Sequence, residues 1–152
     1  MTVDYKIEFR EEDMARFLEL VHQIYRRAME LFSIEMLANM GKEAPVDHGR
    51  LAGSFDLNPM DDDLSWRITS DVEYALDVYQ GTGVHGPAGV PITPTAGEFL
   101  VFEWMGETWF LREVQGQEPN PYIDRAFDSA QIRIDEFTTM AVEEVAGGLG
   151  GA

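Results

Sequence analysis

The sequence predicts an α+β fold in which a long N-terminal helix and a C-terminal helix pack on one face of a four- or five-stranded, mainly antiparallel sheet. Three observations predict it. Apolar residues recur at helical spacing from Met14 to Leu37. Short alternating segments follow, among them a hairpin pattern around Met105-Gly106. A second helical stripe then runs from Ile123 to Ala141. Helices and sheets each bury one apolar side, and stacking both helices on one sheet face is the simplest way to cover all three.

Val3, Tyr5, Ile7 and Phe9 alternate loosely, so residues 1–10 read as a short strand or extended arm. Glu11-Glu12-Asp13 places acid where the dipole of a starting helix favours it. Phe17, Leu18, Val21, Ile24, Tyr25, Ala28, Leu31 and Phe32 then give the i, i+3, i+4, i+7 stripe of an amphipathic helix. The pattern continues to about Lys42, a rod of roughly 45 Å at 1.5 Å per residue. Gly41 and Pro45 are read as its close.

Gly49 to Gly53 reads as the turn into the sheet, and Leu51 to Met60 as the first strand. Asp61-Asp62-Asp63 is a solvated turn. Leu64, Trp66 and Ile68 alternate with Ser65, Arg67 and Thr69, the mark of a strand with one buried face. Val72 to Tyr79 is apolar and mixes strand with helical-turn character. Gly81 to Gly97 is a Gly- and Pro-rich loop, long enough to suggest a functional role. Glu98 to Trp104 and Glu107 to Val114 form a hairpin carrying Phe99, Phe102, Trp104, Trp109 and Phe110. Five large rings exceed what one face of two short strands can bury, which offers Trp104 and Trp109 to an interface, where aromatic residues are enriched. Pro121 can open the last helix and Asn120 can cap it. Its stripe is Ile123, Phe127, Ala130, Ile134, Phe137 and Ala141. The expected organisation is an arm over 1–10, one domain over 11–146 and a flexible tail over 147–152.

At 152 residues and 45% apolar composition, one compact domain with a real core is the expectation. No apolar run reaches the ~20 residues of a membrane span, so no membrane partner is expected. The N-terminus lacks the basic-then-apolar order of a secretory leader. The absence of cysteine excludes disulfides and thiolate metal sites.

The formal charge is −17, from 28 acidic and 11 basic residues, and only Lys6 and Lys42 are lysines. Two explanations fit. Such a surface suits a salt-rich interior, where screening weakens self-repulsion. Alternatively, the field faces DNA that must pass without sticking. General nucleic-acid binding is disfavoured, because the basic patch it requires is missing.

Residues that invite a chemical reading do not assemble one. His22, His48 and His85 lack the spacing of metal-ligand pairs. Gly81, Gly83 and Gly86 match a dinucleotide fingerprint by letters, but no helix can open in that loop and no βαβ unit surrounds it. Asp61 to Asp63 lacks the alternation and closing Glu of a calcium loop. Ser54 has no recognisable His and Asp partners. We therefore expect no enzyme, cofactor or metal. A hydrolase using Asp47 and His48 ranks last.

Three segments point elsewhere: Ala44-Pro45-Val46-Asp47-His48-Gly49-Arg50-Leu51 with Ser54; Tyr74-Ala75-Leu76-Asp77-Val78-Tyr79-Gln80-Gly81-Thr82; and Pro119-Asn120-Pro121-Tyr122-Ile123 with Ala126. In this order, with helix, strands and hairpin between them, they resemble the head–tail joining or tail-completion (neck) proteins of long-tailed double-stranded DNA viruses, including haloarchaeal ones. The likeness covers roughly residues 14–145. It departs at His48, where a small hydroxyl residue is common, and at Gln115 to Glu118, which lacks a His-Pro-Gly.

The resemblance implies a structural virion protein forming a closed ring of six or twelve copies around the DNA channel. Its partners would be the adjacent connector or stopper and the tail-terminator or tail-tube proteins. Viral DNA would pass without specific binding. The location would be the virion neck, with assembly in the host cytoplasm. Candidate interface residues are Arg50, Tyr79, Gly81, Thr82, His85, Trp104, Trp109, Pro119 and Pro121. Strand edges, the 81–97 loop and the N-terminal arm would meet neighbouring subunits, and that loop and the first helix would meet adjacent rings. The alternative is a small acidic host-encoded binding or regulatory module of a halophile.

Overall fold

A computed structural model describes residues 6, 8, 10–46 and 49–149. Most of the expected N-terminal arm, together with Asp47, His48 and the last three residues, lies outside the described residues.

Helix α1 spans Glu11–Glu43, 33 residues and so about 50 Å. Its first turn is acidic, and Arg10 immediately before it pairs with Asp13 at 2.8 Å. It stops at Ala44, which takes an extended conformation (φ −62°, ψ 137°) in front of Pro45, as the proline ring demands of its predecessor. Gly41 does not end the helix. It sits inside the last turns, where the Ala52 carbonyl passes 3.2 Å from the place a Cβ would occupy.

The chain then turns through Gly49 to Gly53 and forms β1 (Phe55–Pro59) and β2 (Trp66–Ser70), antiparallel with Leu57 opposite Ile68. Phe55, Leu57, Trp66 and Ile68 face inward while Asp56, Asn58, Arg67 and Thr69 are exposed, the alternation of a sheet covered on one side. Between the strands, Asp62 accepts hydrogen bonds from the backbone N–H groups of Leu64 and Ser65 and from the Ser65 hydroxyl. These bonds hold the Asp62 carboxyl below the usual carboxylate range, the Ser65 hydroxyl contributing most.

Helix α2 (Ala75–Gln80) and a 3₁₀ turn (Gly83–His85) follow. Strands β3 (Leu100–Trp104) and β4 (Glu107–Leu111) form the second hairpin. Its turn has positive φ at both Met105 (54°) and Gly106 (79°), as a two-residue turn matched to strand twist requires. Helices α3 (Tyr122–Gln131) and α4 (Ile134–Leu149) end the described chain.

The fold is therefore α+β, with two corrections. There is no four- or five-stranded sheet: β1–β2 and β3–β4 are separate two-stranded sheets. Only β1–β2 packs on α1; the C-terminal helices pack on α1 itself rather than sharing a sheet face with it. The expected single C-terminal helix is two, divided at Ile132-Arg133. Arg133 reaches Glu35 on α1 at 2.7 Å and Glu136 on α4 at 2.8 Å, and its backbone N–H bonds back to the Ala130 carbonyl. The bend is thus held by tertiary contact. The first strand is also shorter than Leu51 to Met60, and α4 continues through Gly147 and Gly148, part of the expected tail.

The core gathers Met40, Ala44, Leu51, Val72, Val78, Tyr122 and Ala126. Tyr122 is 2% exposed, with Phe55 at 5.9 Å and Tyr79 edge-on at 6.1 Å. Further along, Phe32 of α1 meets Phe127 and Phe137 edge-on, over the buried Ala130 and Ala141. Alanines at these positions allow α3 and α4 to approach α1 closely. At the outer end of α4, Arg27 grips Glu144 through two nitrogens, at 2.6 and 3.1 Å.

Leu51→Ala should destabilise the fold by about 2–4 kcal/mol, the usual cost of a cavity at a fully buried leucine, measured by denaturant unfolding. The Arg27 hydrogen bond holds the Glu144 carboxyl below its ordinary 4.5. A depressed carboxylate stabilises the fold above its unfolded pKa and loses that contribution as pH falls through the folded one. Glu144→Gln should therefore be less stable than the parent at neutral pH, and the difference should close on acidification below about 4.5, read from paired thermal melts.

Candidate assembly surfaces

The residues singled out from sequence fall into two groups. Tyr79, Gly81, Thr82, Pro119 and Pro121 converge on one seam within the chain. The backbone N–H groups of Thr82 and Val84 donate to the carbonyls of Gln117 and Gln115, at 2.9 and 2.8 Å. The Gln117 N–H donates to the Thr82 hydroxyl at 2.9 Å, and the Asn120 N–H to the Val78 carbonyl at 3.0 Å. Two strands of loop thus cross nearly in contact, which requires glycine. A Cβ on Gly81 would stand 2.8 Å from the Gln117 carbonyl and 2.9 Å from Pro119. Gly83 and Gly116 face opposite loop backbone with still less room.

Tyr79 donates to the Asp124 carboxylate at 3.1 Å. That bond, then burial, raises its phenol pKa, whereas burial is the first cause of the rise at Tyr122. Pro121 precedes α3 as its N-cap residue. The Asn120 side chain does not cap that helix; its Oδ1 accepts from Arg125, which also holds the carboxylate and carbonyl of Glu43. Sequence reading missed Arg125, whose partner lies 82 residues away.

The second group is exposed: Arg50 in the turn after α1, His85 in the 3₁₀ turn, and Trp104 and Trp109 on the hairpin. They lie on separate elements. Every residue from Val101 to Phe110 is exposed, with Trp104 at 63% and Phe110 at 62%. The register puts Leu100, Phe102, Trp104, Trp109 and Leu111 on one face and Val101 with Phe110 on the other. Both faces are apolar, so a sheet covered on one side only would still leave rings in water. The hairpin's anchorage is the Ile92–Val114 bridge and the loop crossing beneath it.

A second exposed apolar surface lies at the start of α1. Met14, Phe17, Leu18, Val21 and Tyr25 are 44–59% exposed, whereas Leu20, Ile24 and Ala28 are partly covered. Among the described residues, no cluster of three or more His, Asp or Glu side chains is placed to hold a metal ion, and no helix is long and apolar enough to cross a membrane. Asp47 and His48, the residues of the hydrolase idea, lie outside the described residues.

Comparison with protein-family models, with curated proteins and with solved structures finds no match to this chain.

Gly116→Ala forces a side chain into the Thr82 carbonyl at a φ of 92°, at a cost of about 1–3 kcal/mol. Hydrogen–deuterium exchange should show faster exchange at residues 82–92 and 114–117, with α1 and α3 unchanged. Exchange rising equally across the whole chain would refute a local role for the crossing.

Proposed function

We propose that this protein is a structural component of the neck of a tailed double-stranded DNA virus, working as a ring that completes the head–tail junction and leaves a channel for DNA. One observation carries the reading. The three segments on which the family likeness rests, far apart in sequence, supply most of a single core: Ala44 and Leu51 from the first, Val78 from the second, Tyr122 and Ala126 from the third. The likeness therefore concerns residues that pack on one another rather than scattered letters.

Two further features support an assembly role. The hairpin and the first turns of α1 expose more clustered aromatic and aliphatic surface than a solitary small domain usually carries. The charge of −17 gives a surface from which phosphate is repelled, which suits a conduit that DNA must slide through. On this reading carboxylates face the channel; a basic channel in the assembled ring would overturn it. The same acidity, with only two lysines, fits a virus of a salt-loving host.

The test is electron microscopy of lysates from the encoding virus with this gene disrupted. Filled heads beside separate, finished tails are expected. Intact infectious particles would remove the protein from the neck and favour a small acidic host-encoded binding module.

A further inference from the structure

The exposed hairpin is one wall of an open trough of about 660 Å³. Leu100, Phe102 and Trp104 line one side, and Ile92, Val114 and the Gly116 backbone line the other. A trough of this kind, apolar at the floor and a few side chains wide, takes an amphipathic helix laid in by its i, i+3, i+4, i+7 face. The chain itself exposes one such helical face, formed by Met14, Phe17, Leu18, Val21 and Tyr25 on α1. The geometry points to a contact between copies in which the trough of one receives the first turns of α1 from the next.

Dimensions and charge select this occupant. Met14 to Tyr25 rises about 18 Å, and five-residue strands such as β3 and β4 extend about 17 Å, so face and trough match in length. The trough's rim is acidic. Residues 98–118 hold Glu98, Glu103, Glu107, Glu113 and Glu118 against the single cation Arg112. In a chain of net charge −17, most of its own surface would repel that rim. Residues 10–27 are the exception: four arginines, Arg10, Arg16, Arg26 and Arg27, balance four acids, so more than a third of the 11 basic residues fall there. The neutral, arginine-bearing, apolar end of α1 is thus the part of this chain that an acidic aromatic trough can accept.

Trough and helix face are different surfaces of one molecule, so the contact is head-to-tail. Such a contact propagates, and closes into a ring when the rotation per subunit allows. The inference rests on the ring reading for closure alone; the pairwise contact stands without it.

Complementation between two exposed-site variants tests it. In size-exclusion chromatography with light scattering at molar salt, the parent chain should be oligomeric. Trp104→Ser removes the trough wall and Phe17→Ser breaks the helix face. Each alone should weaken association about thirtyfold or more, as loss of a central aromatic anchor does, with unchanged circular dichroism. Mixed together they should form a dimer and nothing larger, because Phe17→Ser retains a good trough and Trp104→Ser a good helix face. The contact is overturned if Trp104→Ser leaves the oligomer intact, which would mean helices pair with helices. It is equally overturned if Phe17→Ser leaves it intact, if the mixture stays monomeric, or if the parent is monomeric at every salt and protein concentration tried.

The absence of cysteine adds a direct check. A short bis-maleimide should join Met14→Cys to Glu107→Cys in a mixture of the two and should not join either to itself. Self-joined products alone would overturn the head-to-tail arrangement. These outcomes are separate from the gene-disruption phenotype: complementation can fail in a true neck protein, and can succeed in a ring that serves another purpose.

Discussion

Tyr122 is held on several sides at once. Phe55 of β1 lies against one side of its ring, Tyr79 at the end of α2 meets it edge-on, and its hydroxyl donates to the Ala75 carbonyl at 3.4 Å. It stands at the first position of α3, so the direction of both C-terminal helices follows from where this ring is seated. Burying such a ring removes upward of 150 Å² of mostly apolar surface from water. Around it close Leu51, Met40 and Ala44 at the end of α1. The turn after the long helix, the short helix before the glycine loop and the proline-bounded entry to α3 are all fixed by fitting this one side chain. Pro119 and Pro121 limit the angles at which the chain can deliver it.

From that centre the molecule extends in two directions, and both end in uncovered apolar surface. Along α1, the alanines of α3 and α4 give close helix contact as far as the Arg27–Glu144 pair; beyond it the stripe runs on without α4 to cover it. In the other direction the glycine crossing carries the hairpin away from the core. The crossing does what a packed side chain cannot, because backbone meets backbone across it with no room for a Cβ. An isolated two-stranded hairpin is marginal in water. Here its base is fixed by the Ile92–Val114 bridge and the bonds at Thr82 and Val84, so its aromatic faces are presented on a rigid mount.

Local chemistry was readable wherever it was strong. The stripe of α1, its stop before Pro45, the turn at Met105-Gly106 and the opening of α3 at Pro121 each follow from a residue whose conformational limits act over one or two neighbours. Strand partnership does not work that way. Nothing in β2 or β3 states whether they lie side by side, so one sheet was expected where α2 and the glycine loop keep two apart. The bend between α3 and α4 was equally silent: Gln131, Ile132 and Arg133 contain no breaker, and the ion pair to Glu35 that holds it spans nearly 100 residues of chain. Of the candidate interface residues, Trp104 and Trp109 were legible because five rings overfill one sheet face. Tyr79, Gly81, Thr82 and Pro119 were selected for the same purpose, yet their contacts lie within the chain. A motif made for packing and a motif made for partners look alike until the fold places them.

Charge and apolar exposure oppose each other in this molecule. Aromatic and aliphatic surface of this extent on a neutral protein invites indiscriminate association. At −17, copies repel over a Debye length of roughly 10 Å in 0.1 M salt, which contracts to about 3 Å at 1 M. Repulsion of that range is felt before side chains can touch, so at low salt it holds copies apart in every orientation. Screening removes the general barrier but leaves the local pattern, because groups that approach to contact distance still sense each other's sign. Contacts that set acid against acid remain unfavourable, and those that set an acidic rim against a balanced, arginine-bearing helix become accessible. A chain built in this way gains selectivity from its excess of carboxylates: salt decides whether copies meet, and the few arginines decide which surfaces do.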